Sequence, residues 1–182
     1  MNNKSNVSTG KPKLSGAIYR APKDTAVPTD AITSLAQDFI CLGYITENGL
    51  KNSAKKETNE IKAWGGDIVL IAKKGFSDKL EFELMESKNP EVLKTVHGDD
   101  NVTGDPASGL GVVVNGADDE GHAYVIDMLI RGGKKRICIP DGYVTEVGDV
   151  TYKDDDAIIY PVTLGLLPDE DGNNHYEYIK EG

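Results

Sequence analysis

The sequence has little from which a catalytic or metal site could be built. Its 182 residues include only two cysteines and three histidines, and the histidines lie far apart at His97, His122 and His175. No two of them have the spacing of a metal-binding motif. Cys41 and Cys138 belong to no CxxC pair, which indicates reduced, packed thiols. We therefore predict neither a cofactor nor a metal.

Long apolar runs are missing as well. A membrane-spanning helix needs about 20 consecutive apolar residues, and no stretch approaches that length. The first six residues, Met-Asn-Asn-Lys-Ser-Asn, lack the apolar core of a secretory signal. We expect no membrane segment.

Segments that resemble known catalytic or metal-binding motifs lack the residue spacing that those motifs require. Ser108 lacks the glycine two positions upstream that a nucleophile elbow requires. Asp169-Glu-Asp-Gly-Asn-Asn resembles a calcium loop, but its glycine is fourth where the loop needs it sixth, so a turn is the better interpretation. The acidic runs 118–120 and 154–156 are interpreted as solvated loop tips. The sequence predicts a protein that is not an enzyme.

An excess of basic charge is also absent, because the net charge is −10. This argues against a module that binds the phosphate backbone of a nucleic acid. Residues 1–90 carry 13 basic and 11 acidic side chains, a net of +2, whereas residues 91–182 carry 7 and 19, a net of −12. The asymmetry allows either a solvated acidic surface or a subunit with two unlike ends that associates head to tail.

Alternating apolar residues and turn signals predict a mainly β (α+β) domain. Leu80, Phe82 and Leu84 alternate with glutamates, which is typical of a half-buried strand. The same alternation, or a short apolar run, predicts the other strands, which lie at 16–20, 68–71, 111–114, 124–130, 137–139, 143–147 and 158–164. Gly132-Gly133, Asp141-Gly142 and Asp171-Gly172 are predicted turns.

Two short helices are predicted beside these strands. The first begins at Thr29 or Asp30 and carries apolar residues at helical spacing up to Phe39. The second has Asn89 as its cap and Pro90 at its first position, and it ends at Gly98. The expected fold is a single β-sandwich or half-barrel, residues 16–182, flanked by one or two short helices.

Two polar segments stand apart from this pattern. Residues 1–15 have almost no apolar side chains, so we expect a flexible N-terminal arm. Residues 46–66 are polar and long for a connection. We interpret them as a protruding loop or long hairpin that becomes ordered on a partner.

Three stretches in order resemble the tail tube (major tail) proteins of phages with long, non-contractile tails. They are 16–30, 42–50 continuing to 61–66, and 80–93, and the ending at 161–172 is similar to the last strand and turn of that family. The likeness extends over most of residues 16–175. Because the sequence ends soon after its last predicted strand, we expect it to lack the immunoglobulin-like C-terminal decoration that some relatives carry.

The resemblance implies a structural virion protein that self-assembles into stacked rings, usually hexameric, which form a hollow tube through which DNA leaves the capsid. Its implied partners are copies of itself, the tape-measure protein, the tail terminator, baseplate or tail-tip proteins, and DNA in transit. Assembly in the bacterial host cytoplasm and a location in the phage tail follow. Residues 1–15 and 47–66 are the implied segments that lock one ring to the next.

Particular residues can be assigned to these surfaces as expectations. Asp127 and Glu146, inside predicted strands, are candidates to line an acidic channel that repels DNA phosphates. The candidates for the subunit interface are Leu50, Lys51, Lys55, Lys56, Ile61 and Trp64. Two alternatives remain open: a tail terminator or joining protein that forms a single ring, and a small ligand-binding β module.

Overall fold

A computed structural model describes residues 2, 4–13, 16–117 and 120–182 of the chain. One α-helix, α1 (Pro90–His97), and two short 3-10 turns (Lys4–Asn6 and Asp99–Asn101) accompany eleven strands within that described part. The strands are β1 (Lys11–Pro12), β2 (Ile18–Pro22), β3 (Ile40–Cys41), β4 (Ile45–Lys62), β5 (Ile68–Leu84), β6 (Val102–Asp105), β7 (Gly109–Val112), β8 (His122–Ile130), β9 (Gly133–Val147), β10 (Tyr160–Leu167) and β11 (Tyr176–Glu181).

Nine of the strands form one antiparallel sheet, in the order β3-β2-β8-β9-β10-β5-β4. β1 adds to β8, β11 adds to β9, and β6 and β7 pair separately. The first half of β9 pairs with β11 and its second half with β10, so the sheet divides along this strand. Side chains from β2, β8, β10 and β5 meet in one core cluster. Such distant strands can share a core only if the sheet curls, so the predicted β-rich half-barrel or sandwich is confirmed.

The alternation in β5 places its apolar side chains in this core. Leu80, Phe82 and Leu84 are buried, and they lie opposite Leu164, Val162 and Tyr160 of β10. Cross-strand pairs of this kind stabilise a sheet by about 0.2–1 kcal/mol each relative to alanine. The predicted strand and its buried face are confirmed.

Helix α1 follows its predicted signals. Asn89 accepts a hydrogen bond from the backbone N–H of Glu91, and Pro90 occupies the first turn. Val92 and Leu93 are buried against the sheet. The helix ends where Gly98 adopts a positive φ of 93° and donates to the carbonyl of Lys94.

The other predicted helix, over residues 29–39, is wrong. The Asp30 carboxylate accepts hydrogen bonds from the backbone N–H groups of Ile32 and Thr33, which fixes a capped turn. Arg136 donates to the carbonyls of Asp30 and Thr33, so these oxygens bind a guanidinium group where a helix would use them internally. After this turn the segment has no regular secondary structure. It covers the face of the sheet opposite the main core, where Phe39 packs in a second, smaller core cluster.

The turn predictions have mixed outcomes. The β8–β9 hairpin exists, but its two turn residues are Arg131 and Gly132, with a φ of 73° at Gly132. The predicted turn at Asp141-Gly142 is wrong, because these residues lie inside β9 and pair with β10. An irregular step in the β8–β9 register occurs beside them. The last predicted turn, at Asp171-Gly172, is confirmed. There the Asp169 carboxylate accepts hydrogen bonds from the backbone N–H groups of Asp171 and Asn173.

Candidate assembly interface

The central part of β4 and β5 stands away from the rest of the molecule. β10 pairs with β5 only over residues 79–84, and the remainder of β5 pairs with β4 alone among the strands that the structure describes. We call residues 54–77 the ribbon. At about 3.3 Å per residue, its two strands extend about 30 Å beyond the sheet. A two-stranded hairpin is marginally stable in water when it packs on nothing, so the ribbon is a candidate for contact with a partner.

The ribbon carries large apolar side chains that face solvent. The run Ile68–Ile71 was predicted as a buried strand, and that prediction is wrong: these four side chains are between 51% and 62% exposed. Other exposed apolar residues are Ile61, Trp64 and Phe76. A concentration of apolar surface on one protruding element is typical of a protein–protein contact. Each large side chain that a partner buries contributes about 1.5–3 kcal/mol.

The apex of the ribbon presents its tryptophan to solvent. The backbone N–H of Gly66 donates to the carbonyl of Ala63, and the N–H of Ala63 donates to the carbonyl of Asp67. Gly65 and Gly66 have positive φ values of 129° and 100°, which glycine adopts without strain. The Trp64 side chain is fully exposed and gains nothing from packing within one copy.

The root of the ribbon is fixed to the domain by a buried carboxylate. Asp78 is almost fully buried, and its oxygens accept hydrogen bonds from Asn52 Nδ2 at 2.8 Å and from His175 Nδ1 at 2.5 Å. Because His175 precedes β11, this contact ties the C-terminal part of the chain to the ribbon. The root is therefore hydrogen-bonded to the domain where the ribbon leaves the sheet.

Next to the root, four strands present a polar face. The register places Lys51, Glu81, Thr163 and Glu146 in one row across β4, β5, β10 and β9. Lys51 Nζ lies 2.8 Å from Glu81 Oε2. In the neighbouring row Glu83 accepts hydrogen bonds from Thr46 and Asn48. The face carries three glutamates and one lysine in these rows, so it is acidic.

A sequence model of the phage tail tube protein family matches residues 2–182. The chain belongs to this family. Two solved structures are similar to it. One is the sheath-tube complex of an extracellular contractile injection system (PVC) in the extended state, at 9% identity over 93% of both chains with a TM-score of 0.46. The other is the anti-feeding prophage cap (AFP tube terminating cap), at 8% identity over 100% of both chains with a TM-score of 0.47. No curated protein matches the chain.

Membership makes this tail tube protein a structural component of the virion, and the prediction that it is not an enzyme is confirmed. Its histidines have structural partners. His122 Nε2 lies 2.6 Å from Nη2 of the buried Arg20, which also binds Asp99. His97 packs edge-on against the ring of Tyr160, and burial lowers the pKa of His97. No cluster of possible metal ligands occurs among the described residues, and no helix there could span a membrane.

The structure distributes the predicted interface residues along the hairpin. Lys55, Lys56, Ile61 and Trp64 lie on the ribbon and are exposed. Leu50 packs against the core cluster, and Lys51 lies at the root on the polar face, so these two belong to the domain rather than to the ribbon. The sequence predicts a strand at 68–71, but neither its length nor its pairing with the polar segment before it. A long polar strand has to pair with something, and that requirement could have identified the apolar strand after Gly66 as its partner.

The two predicted channel residues have different surroundings. Glu146 is exposed on the polar face, whereas Asp127 is buried between Arg136 and Lys13. The Arg136 guanidinium donates to both Asp127 oxygens, at 2.6 and 3.0 Å. Burial alone raises the pKa of Asp127, but the hydrogen bonds and charge of Arg136 hold it below its ordinary value. Within one copy Asp127 is therefore buried in an ion pair, whereas Glu146 reaches solvent. Which of the two side chains lines a channel stays a prediction.

The N-terminal arm is partly attached to the sheet. β1 pairs with Leu129 and Met128 of β8, and Lys13 Nζ lies 3.3 Å from Asp127 Oδ2. Residues 2, 4 and 6–10 are exposed. Residues 1, 3, 14 and 15 of the predicted arm lie outside the described residues, as do Asp118 and Asp119 of the predicted acidic loop tip.

Proposed function

We propose that this tail tube protein assembles with copies of itself into stacked hexameric rings, and that the resulting hollow tube conducts DNA during ejection. The observation that carries the proposal is the ribbon: a long hairpin, unsupported in one copy, with apolar side chains on both of its strands. An interface of head-to-tail type that does not close on itself produces a filament. The ribbon is suited to such a contact because it reaches about 30 Å from its own domain.

Ring-to-ring contact is the role that we propose for the ribbon, together with the exposed N-terminal residues. In dilute protein few copies are available as partners, so the ribbon stays solvated on both faces. The contacts that the ribbon makes on the next ring offset the conformational entropy that is lost when its strands are fixed. This gives Lys55, Lys56, Ile61 and Trp64 a function that none of them has within one copy.

The polar face is the surface that we propose for the channel wall. Its glutamates repel DNA phosphates at short range, and of the two channel candidates named from the sequence only Glu146 lies on this face. DNA then slides along the wall because it finds no excess of lysine or arginine to bind. The remaining proposed partners are the tape-measure protein inside the tube, the terminator at one end and the tail-tip proteins at the other. The proposed site of assembly is the host cytoplasm.

Shortening the ribbon tests this function directly. Replacing residues 56–76 with Asn-Gly joins the paired residues Lys55 and Ser77 through a two-residue turn, which suits a hairpin. We expect a folded monomer, with unchanged circular dichroism, that forms no tubes in electron micrographs of concentrated protein. Tubes from the shortened variant would refute the role of the ribbon.

A matched variant keeps the ribbon at full length. Ile68→Thr, Leu70→Thr and Ile71→Thr retain strand-favouring residues but remove three of the seven large apolar side chains that the ribbon exposes. We expect this protein to fold as the wild type does and to need a protein concentration at least about ten-fold higher for tube formation, since about 1.4 kcal/mol corresponds to a factor of ten.

A further inference from the structure

The loop between β9 and β10 is acidic and exposed. It runs from Gly148 to Ile159, and we call it the acidic loop. It contains four aspartates and one lysine, a net of −3: Asp149, Lys153, Asp154, Asp155 and Asp156. All five side chains are exposed, and so is Tyr152, at 72%. An exposed aromatic residue among carboxylates is suited to a partner that is both apolar and basic.

Strand register places the acidic loop and the ribbon at opposite ends of the same sheet. The pair Val162–Val147 joins β10 to β9 next to the acidic loop. The pair Gly165–Lys79 is the last between β10 and β5, and the ribbon begins immediately beyond it. Within one copy the two features therefore point away from each other. Copies stacked in one direction would bring the ribbon of one towards the acidic loop of the next.

The ribbon has the opposite charge. Residues 54–77 carry five lysines, at 55, 56, 62, 73 and 74, and three acids, at 57, 60 and 67, a net of +2. All five lysines are exposed, and only Lys62 has an ion-pair partner, Glu60, among the residues that the structure describes. The ribbon is thus basic although the whole chain is acidic.

One face of the ribbon combines this charge with apolar surface. Lys56 pairs with Phe76, Thr58 with Lys73, and Glu60 with Ile71, and residues paired across two strands share a face. The same face continues into Leu80 and Phe82, which enter the core. We call it the inner face. On this face Lys73 lies between Phe76 and Ile71 along β5, and Lys56 lies opposite Phe76. With Glu60 the named residues carry a net charge of +1, so basic and apolar side chains together match the aspartates and the tyrosine of the acidic loop.

We propose that the inner face of the ribbon binds the acidic loop of the copy in the next ring. Lys56 and Lys73 then face Asp154 and Asp155, while Phe76 and Ile71 cover Tyr152. This inference rests on the proposed function and adds the receiving surface to it. The contact also sets the direction of the stack, because two ribbons or two acidic loops that meet have like charge.

A second acidic turn, around Glu170, does not fit this role. It follows the end of β10 that lies beside the ribbon, so a head-to-tail stack does not present it to the ribbon of the next copy. It does, however, provide the control for the test. Glu170 and Asp171 are exposed, and reversing both changes the net charge by the same amount as reversing two aspartates of the acidic loop.

Charge exchange between the two surfaces tests the contact. The loop variant is Asp154→Lys with Asp155→Lys, and the ribbon variant is Lys56→Asp with Lys73→Asp. The exchanged variant carries all four of these changes. The control variant is Glu170→Lys with Asp171→Lys. The measurement is the lowest concentration at which tubes sediment, at about 0.05 M salt, where charges are weakly screened. We expect about a ten-fold increase for the loop and ribbon variants and recovery to within about three-fold for the exchanged variant. The control should remain at the wild-type value.

The outcomes separate this inference from the proposed function. If the loop variant behaves like the control while the ribbon variant fails to assemble, the ribbon binds elsewhere and the inference is wrong, but the tube function stands. If wild-type protein forms no tubes at all, both are wrong. A disulfide gives a second measurement that does not depend on charge. Lys73→Cys with Asp155→Cys, in a Cys41→Ser background, should form intermolecular ladders on oxidation of tubes but not of dilute monomer.

Discussion

The ion pair of Asp127 with Arg136 joins three parts of the chain. Both side chains are buried on neighbouring strands, and Arg136 also donates to carbonyls in the segment that covers the second face of the sheet. Removing one member of a buried pair leaves the other charge unpaired, at a cost of about 3–5 kcal/mol. The pair therefore stabilises the contact between these three parts of the chain.

At the scale of single residues, Asp127→Asn should lower the free energy of unfolding by about 3 kcal/mol, because it leaves the buried Arg136 without a counter-charge. Glu146→Gln, on the exposed polar face, should change it by less than about 0.5 kcal/mol. Denaturant unfolding at pH 7 measures both. Equal effects of the two substitutions would contradict the assignment of Asp127 to the fold.

The effect of Asp127→Asn also depends on pH. The pKa of Asp127 is lowered in the folded state, so its carboxylate stabilises the fold above the ordinary aspartate pKa of about 4, and that stability is lost as the pH falls through the folded value. The difference between wild type and variant should therefore shrink below about pH 4. A constant difference down to pH 2 would show that the lost stability is not electrostatic.

The ribbon is the element that differs most from its surroundings. The other long strands have neighbours on the sheet or bury one face in the core. The two strands of the ribbon pair only with each other, and both faces of the ribbon are solvated. Local stability follows the amount of buried apolar surface and the protection of backbone hydrogen bonds. The ribbon is accordingly expected to open far more readily than the domain.

Hydrogen exchange can follow this element in both states of the protein. In the monomer, backbone amides of residues 54–77 should exchange at least about ten-fold faster than in assembled tubes, because the tube buries the ribbon. Amides of β8, which lies between β2 and β9 in the sheet, serve as the internal control and should be slow in both states. Ribbon amides that exchange equally fast in monomer and tube would exclude the ribbon from the ring-to-ring contact.

Elements with local signals could be predicted from the sequence. Asn89 and Pro90 mark the start of α1, and the alternation around Phe82 marks a half-buried strand, because caps and periodicity act over a few residues. The segment after Asp30 has apolar residues at helical spacing but forms no helix, because Arg136, distant in the sequence, donates hydrogen bonds to the carbonyls of Asp30 and Thr33. The run Ile68–Ile71 has the composition of a core strand, and only the pairing with β4 shows that it projects into solvent.

On the scale of the whole molecule, the sequence-level charge asymmetry becomes a difference between two ends. The basic ribbon leaves one end of the sheet, and the acidic loop leaves the other. The sequence could indicate this asymmetry but not its geometry, because the direction of each strand decides which end a loop occupies. The polar face lies between the two ends, and its glutamates come from two strands, β5 and β9, that are far apart in the chain.

Electron cryomicroscopy of the concentrated full-length protein tests the central claim most directly. The account predicts hollow filaments of uniform diameter, made of rings that repeat along the axis, with density for each ribbon against the acidic end of the next ring. Protein that remains monomeric at every concentration would contradict self-assembly. Single rings that never extend would contradict the stacking role and favour a terminator or joining protein.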